Sequence, residues 1–204
     1  MTAATNKNAQ VTLFVIVAIL IVSSVGLIYY LQTKPSAVPV EFQAVENYFT
    51  ECIKGKMQEG SALLGSQAGY ISPPEFEKGS GYMPFSSQLD FFGNAVPYWF
   101  YISGNNIIRQ QVPSLKEMEK QLASFLQEEV DKCNFLGFEA QGYSISKGAA
   151  KATVSIKDSV ISADVDAGLV LGKGNTKAKI ARHKAEIKSK LGKFYSLALK
   201  IYNQ

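Results

Sequence analysis

Few residues of this chain could do chemistry, because its 204 residues include only two cysteines and one histidine. A nucleophilic cysteine needs a base, and no spacing ties His183 to Cys52 or Cys133. The three residues also lack the spacing of a zinc site. In a domain outside the cytoplasm, an isolated cysteine pair is most simply a disulfide. We therefore predict a Cys52–Cys133 disulfide, with two buried free thiols as the alternative, and no catalytic residue, metal or cofactor.

Two other features of the sequence resemble a phosphate-binding loop and a calcium site but do not match either pattern. The glycine-rich run from Gly168 to Gly174 is one residue short of a P-loop and has glycine where Ser or Thr would bind Mg²⁺. Asp158, Asp164 and Asp166 could supply calcium ligands, but no loop of the required spacing surrounds them. Strand alternation puts Asp164 and Asp166 on one face of a sheet, and a solvated strand face is the preferred interpretation.

Charge is distributed unevenly along the chain. Residues 169–204 contain nine basic residues and one acidic residue, whereas the remainder contains twelve basic and sixteen acidic residues. We expect this basic stripe to attract an anionic surface polymer, anionic lipid or the acidic body of a second copy, and nucleic acid is disfavoured. A lysine-rich face that only aids solubility is the alternative. The residues assigned to the stripe are Lys177, Lys179, Arg182, Lys184, Lys188, Lys190 and Lys193.

The chain begins with an apolar segment, since Val11–Leu31 contains no charged residue. As a helix, these 21 residues would span about 31 Å, which matches a bilayer core of about 30 Å. The run is too long for the apolar part of a cleaved secretory signal. The N-terminal amine favours an N-terminus inside the cell. The predicted parts are a cytoplasmic N-terminus at 1–10, a single transmembrane helix at 11–32, a linker at 33–40 and one extracytoplasmic domain at 41–204.

The residues before the apolar run resemble the class III signal of archaeal type IV pilin-like proteins. Ala9 precedes Gln10, the basic Lys7 lies one place earlier than the pattern has it, and Thr12 follows two positions after Gln10. The resemblance implies processing between Ala9 and Gln10. The chain departs from the pattern at Phe14, where a glutamate is usual, and Pro35 would interrupt the long pilin helix.

The predicted fold class is α+β, a small antiparallel sheet packed against two or three helices. Apolar residues from Phe42 to Met57 recur at helical spacing, and Ser114 with Glu117 forms a capping box that begins a second helix. Residues 75–95 are predicted to be an irregular loop. The aromatic residues around Trp99 are predicted to form a buried strand and a loop over the core, rather than a ligand groove or a membrane-resting surface. Strands are predicted at 96–102, 138–146, 150–156, 160–171 and 177–187, with a last helix from residue 189.

The order of these parts resembles a family of single-pass membrane proteins from small-genome archaea. The motifs that carry the resemblance are the QVTLF opening, GYISPP, VPYWFY, PSLKEMEKQL and LGKFYSLALKIY, together with the two cysteines. The resemblance covers nearly the whole chain. It implies a membrane location and this architecture, and it brings no established activity.

Three classes of function remain open from the sequence. We favour a non-enzymatic, membrane-anchored cell-surface or envelope protein that binds protein partners or itself. The alternatives are a pilin-like filament subunit and an enzyme with a cryptic site. A pocket that placed His183 within hydrogen-bond reach of Cys52, Cys133 or an acidic residue would favour the enzyme.

Overall fold

The computed structural model describes residues 15–24, 38–79 and 86–204. The chain divides into two compact units, Met1–Ala37 and Val38–Gln204, and each is described by itself.

In the first unit, the described residues 15–24 form a helix, α1. No helix in the described ranges is both long enough and apolar enough to cross a membrane. Most of the predicted transmembrane helix at 11–32 and of the linker at 33–40 lies outside the described residues, as do Ala9 and Gln10.

The second unit is α+β, as the sequence predicts. Its helices are a 3-10 turn Val40–Phe42, α2 Gln43–Ser66, α3 Leu115–Glu129, a 3-10 turn Val130–Lys132, α4 Leu136–Glu139 and α5 Leu191–Tyr202. Its strands are β1 Gln88–Phe91, β2 Asn94–Pro97, β3 Phe100–Ile102, β4 Ile108–Gln110, β5 Tyr143–Ser146, β6 Lys151–Ile156, β7 Val160–Lys173 and β8 Thr176–Lys188.

The main sheet is antiparallel and is built around β7. Strand β8 pairs with β7 along almost its whole length, while β6 and then β5 follow one another along the other edge of β7. A bulge interrupts the β7–β8 register between Asp166 and Leu169. Gly168 lies at the bulge with a φ of 52°, a left-handed conformation that glycine adopts without strain. The remaining four strands form two small hairpins, β1–β2 and β3–β4.

The core lies between one face of this sheet and two helices. Every second residue of β7 is buried, from Ile161 to Leu171, because side chains alternate between the faces of a strand. Helix α2 packs against β8, and α3 packs against both β6 and α2. Gly60 allows α2 and α3 to approach closely, since a Cβ there would lie 2.5 Å from Leu122 Cδ1. The helix residues buried in this core include Phe42, Val45, Phe49, Ile53, Met57, Met118, Leu122 and Leu126.

The capping box of α3 is present as the sequence predicts. The Glu117 amide donates to Ser114 Oγ at 3.2 Å, and the Ser114 amide donates to Glu117 Oε2 at 2.7 Å. The pKa of the Glu117 carboxyl is held below its ordinary value, chiefly by the hydrogen bond from the Ser114 backbone amide. The hydrogen bond with the Ser114 hydroxyl acts in the same direction and contributes less. The box therefore satisfies amides that the first turn of a helix leaves unpaired.

We expect Ser114→Ala to lower the free energy of unfolding by about 1 kcal/mol, the usual contribution of an N-cap.

The Glu117 charge also contributes to the free energy of unfolding, and this contribution is fully present above the carboxyl's unfolded-state pKa. It is lost as the pH falls through the lowered folded-state pKa, because the protonated carboxyl no longer favours the helix N-terminus. Urea denaturation of wild type and Glu117→Gln across the acidic range checks this. A stability difference between the two that stayed constant at all pH values would contradict it.

Three sequence predictions need correction. Residues 88–95, predicted to be irregular, include β1 and the start of β2, and the single strand predicted at 96–102 is divided between β2 and β3. The predicted strand 138–146 begins only at Tyr143, because the chain before it forms the short helix α4. Alternation along such short segments does not separate a turn of helix from a strand.

The aromatic segment is also less buried than predicted. Tyr101 is buried, but Phe91, Phe92 and Phe100 are exposed. Phe92 occupies the tip of the β1–β2 hairpin with a φ of 52°, and it is 92% exposed.

Candidate functional site

Cys52 and Cys133 form a disulfide, as the sequence predicts. Their Cα atoms are 6.3 Å apart and their positions in the chain differ by 81 residues. Cys52 is contributed by the middle of α2, and Cys133 directly follows the 3-10 turn at the end of α3. Cys133 is 4% exposed. The bond therefore joins α2 to the segment that follows α3.

Lys147 hydrogen-bonds to the backbone of the segment that contains Cys133. It lies between β5 and β6, and its Nζ donates to the carbonyl oxygens of Val130, Asp131 and Cys133. These carbonyls belong to a helix end, where a cation is favoured. Burial lowers the pKa of Lys147, and the nearby Asp131 carboxylate acts in the opposite direction. No sequence pattern singles out Lys147, because the carbonyls that it binds become its neighbours only in the fold.

His183 lies on the inner face of β8 and is 1% exposed. Its Nδ1 is 2.9 Å from Glu46 Oε1 on α2, and its ring meets Phe49 edge to face with the centroids 4.7 Å apart. The Glu46 side chain is 18% exposed. Among the described residues, neither His183 Nε2 nor Glu46 Oε2 has a hydrogen-bond partner.

A pocket in which His183 could hydrogen-bond to an acidic residue would favour an enzyme. The hydrogen bond to Glu46 is present, but the ring is enclosed by the core. The depression at the end of β8 and the one on the outer face of the sheet are lined by other residues, including Ser159, Lys190 and Asp164. The hydrogen bond between Glu46 and His183 therefore connects α2 to β8.

The predicted basic stripe is divided by the fold. Its five β8 members, Lys177, Lys179, Arg182, Lys184 and Lys188, are all exposed, and Lys190 and Lys193 are exposed near the start of α5. In the middle of the sheet, however, Asp164 lies opposite Lys184, and Asp166 lies opposite Arg182. Opposite charges at facing positions of neighbouring strands attract one another.

Basic charge consequently remains concentrated at the two ends of β8. One end has Lys177 and Lys179, with Lys173 nearby in β7, where its ammonium lies 4.0 Å from the centre of the Tyr143 ring. The other end leads into Lys190 and Lys193. Asp164 and Asp166 share one face, as predicted, and the register places basic residues, rather than a ligand loop, opposite them.

Helix α5 has an exposed apolar surface that the sequence pattern does not predict. The residues Phe194, Leu197 and Ile201 are 62%, 53% and 66% exposed. The helix predicted from residue 189 includes these positions, but helical spacing does not show which of a helix's apolar positions the fold covers.

The fold and the cysteine pair together define a disulfide-bonded α+β domain. No protein-family model, no curated protein and no solved structure matches this chain.

Proposed function

We propose that this protein is a non-enzymatic, single-pass surface protein whose domain at 38–204 serves in interaction or structure outside the cytoplasm. The observation that carries the proposal is the Cys52–Cys133 disulfide. Disulfides persist in oxidising compartments and are rare in the cytosol, where thiols are kept reduced.

The anchor in this proposal is the uncharged run Val11–Leu31. Its length and composition suit a bilayer core, and the cytoplasmic side would be the one that holds the N-terminus. The lipid bilayer is therefore the first partner, and protein partners or further copies of the chain would meet the exposed surfaces of the domain.

The absence of catalysis is part of the proposal and rests on His183. An acid–base residue has to reach a proton on its substrate. The ring of His183 is 1% exposed and its Nδ1 is occupied by Glu46. Both cysteines are in the disulfide, so neither thiol is free to act as a nucleophile.

A fractionation experiment tests the anchor and the orientation. We expect the full-length chain to sediment with membranes, to stay there after an alkaline carbonate wash, and to be digested by protease added outside intact cells. On a non-reducing gel the extracted chain should migrate faster than after reduction, because the disulfide keeps its unfolded form more compact. Recovery of the full-length chain in the aqueous fraction, without detergent, would overturn the proposal.

The pilin-like alternative depends on processing at Ala9–Gln10. A pilin helix would continue from the apolar run into the domain, whereas Pro39 has an extended conformation, with φ −53° and ψ 141°, immediately before the 3-10 turn. This break favours the anchored surface protein. N-terminal sequencing separates the two: a mature chain beginning at Gln10 supports the filament subunit, and an intact Met1 contradicts it.

A further inference from the structure

Helix α5 has an exposed apolar face at the surface of the domain. Phe194, Leu197 and Ile201 follow one another at spacings of three and four residues, so they form one stripe along the helix. More than half of each side chain is accessible to solvent. The opposite side of the helix is the one that packs on the domain.

That packing prevents α5 from turning its apolar stripe inward. Gly192 lies against the turn between β6 and β7, where a Cβ would be 2.5 Å from the Lys157 carbonyl oxygen. Tyr195 donates its hydroxyl to the Pro113 carbonyl at 2.9 Å. The ring of Trp99 contacts both Tyr195 and Tyr202 edge to face. The orientation of the stripe is therefore set by contacts at both ends of the helix.

Helix α5 and the residue directly before it carry charges of one sign only. Lys193 and Lys200 are exposed on α5, Lys190 is exposed directly before it, and no acidic residue occurs after Glu186. A helix with an apolar stripe bordered by lysines is typical of segments that lie in the interface of an anionic bilayer. The lysine stems can cover apolar surface while their ammonium groups reach lipid phosphates.

The size of the stripe also distinguishes between partners. Three partly exposed side chains offer on the order of 400 Å² at most, whereas a stable protein interface buries about 800 Å² on each partner. Pairing of two α5 stripes would in addition bring lysines of both copies together. Partial insertion into a lipid interface needs no such buried area and brings no lysines of a second copy close to those of the first.

We infer that the Phe194–Leu197–Ile201 stripe is a docking surface for an anionic bilayer, with Lys190, Lys193 and Lys200 binding its headgroups. This inference rests on the proposed function only in that the anchor keeps the domain beside a membrane.

The experiment uses the full chain with Leu197→Cys, labelled with an environment-sensitive fluorophore under non-reducing conditions. The native cysteines are joined and do not react. The matched control is Ser196→Cys, one position away and on the polar side of α5. Both proteins are reconstituted into vesicles of phosphatidylcholine and phosphatidylglycerol that contain a spin-labelled lipid as quencher, and both are checked for the wild-type thermal transition.

We expect several-fold stronger quenching of the label at 197 than at 196. We also expect Lys193→Gln to weaken the contact about fivefold, because each basic residue near an anionic surface contributes to binding. Replacing phosphatidylglycerol by phosphatidylcholine, or raising the salt concentration, should reduce the difference. Equal quenching at both positions would overturn the inference. Shielding of position 197 that depends on protein concentration and not on lipid would also overturn it, and would assign the stripe to a second copy.

The two proposals fail separately. Loss of the chain from membranes in alkaline carbonate would contradict the anchor alone, because the labelled protein could still be added to preformed vesicles and would still report on α5. A chain that resists carbonate but shows equal quenching at 196 and 197 would contradict the docking surface alone.

Discussion

Replacing Cys52 and Cys133 by serine is expected to lower the free energy of unfolding by about 2–5 kcal/mol. The disulfide closes a loop between residues 81 positions apart, and chain entropy alone assigns such a crosslink about 4.5 kcal/mol. It also joins α2 to the end of α3, the two helices that bury the inner face of the sheet. Urea denaturation followed by circular dichroism measures the change.

Reduction of the wild-type protein provides the matched control for this prediction. Dithiothreitol should move the wild-type midpoint to that of the double variant, and it should leave the double variant unchanged. If the wild type and the double variant denatured at the same urea concentration under oxidising conditions, the prediction that the disulfide stabilises the fold would be wrong.

The second large effect is expected at the buried pair of Glu46 and His183. We expect Glu46→Ala to cost about 2–4 kcal/mol, because it leaves the 1%-exposed ring without its Nδ1 partner and opens a space beside it. His183→Ala should cost about 3 kcal/mol, since it removes the edge-to-face contact with Phe49 and leaves a cavity.

A double-mutant cycle separates the pair from its surroundings. The combined variant should be less destabilised than the sum of the two single variants, because each single change already removes the same contact. Glu46→Gln should recover most of the stability, since an amide can still hydrogen-bond to Nδ1 without a charge. Additive losses within about 0.5 kcal/mol would show that the two side chains do not act together.

The same variants address catalysis. If the pair serves only the fold, Glu46→Gln will have a nearly normal thermal transition and His183→Ala will lose stability. If an assay revealed an activity that Glu46→Gln abolished without changing the stability of the protein, the pair would instead belong to an active site. The enclosed position of His183 in the core is the reason for the first expectation.

Much of the local structure follows from the sequence. The stripe from Phe42 to Met57 predicts α2, and the Ser114–Glu117 box predicts the start of α3, since helical periodicity and capping depend on residues close together in the chain. The strand ending near Ile187 and the helix after Ser189 are likewise confirmed as β8 and α5. The weakest predictions concern residues 75–102, where the strands are three or four residues long and show no clear period.

The sequence by itself determined the class of domain, the positions of its long helices and strands, and the small set of residues available for chemistry. Only the tertiary structure decided that Glu46 binds His183, 137 residues away, that Asp164 and Asp166 divide the basic stripe, and that α5 leaves Phe194, Leu197 and Ile201 exposed. Periodicity and capping are properties of neighbouring residues. Sheet register and the covering of a helix face are instead set by packing between distant segments, to which no local pattern is sensitive.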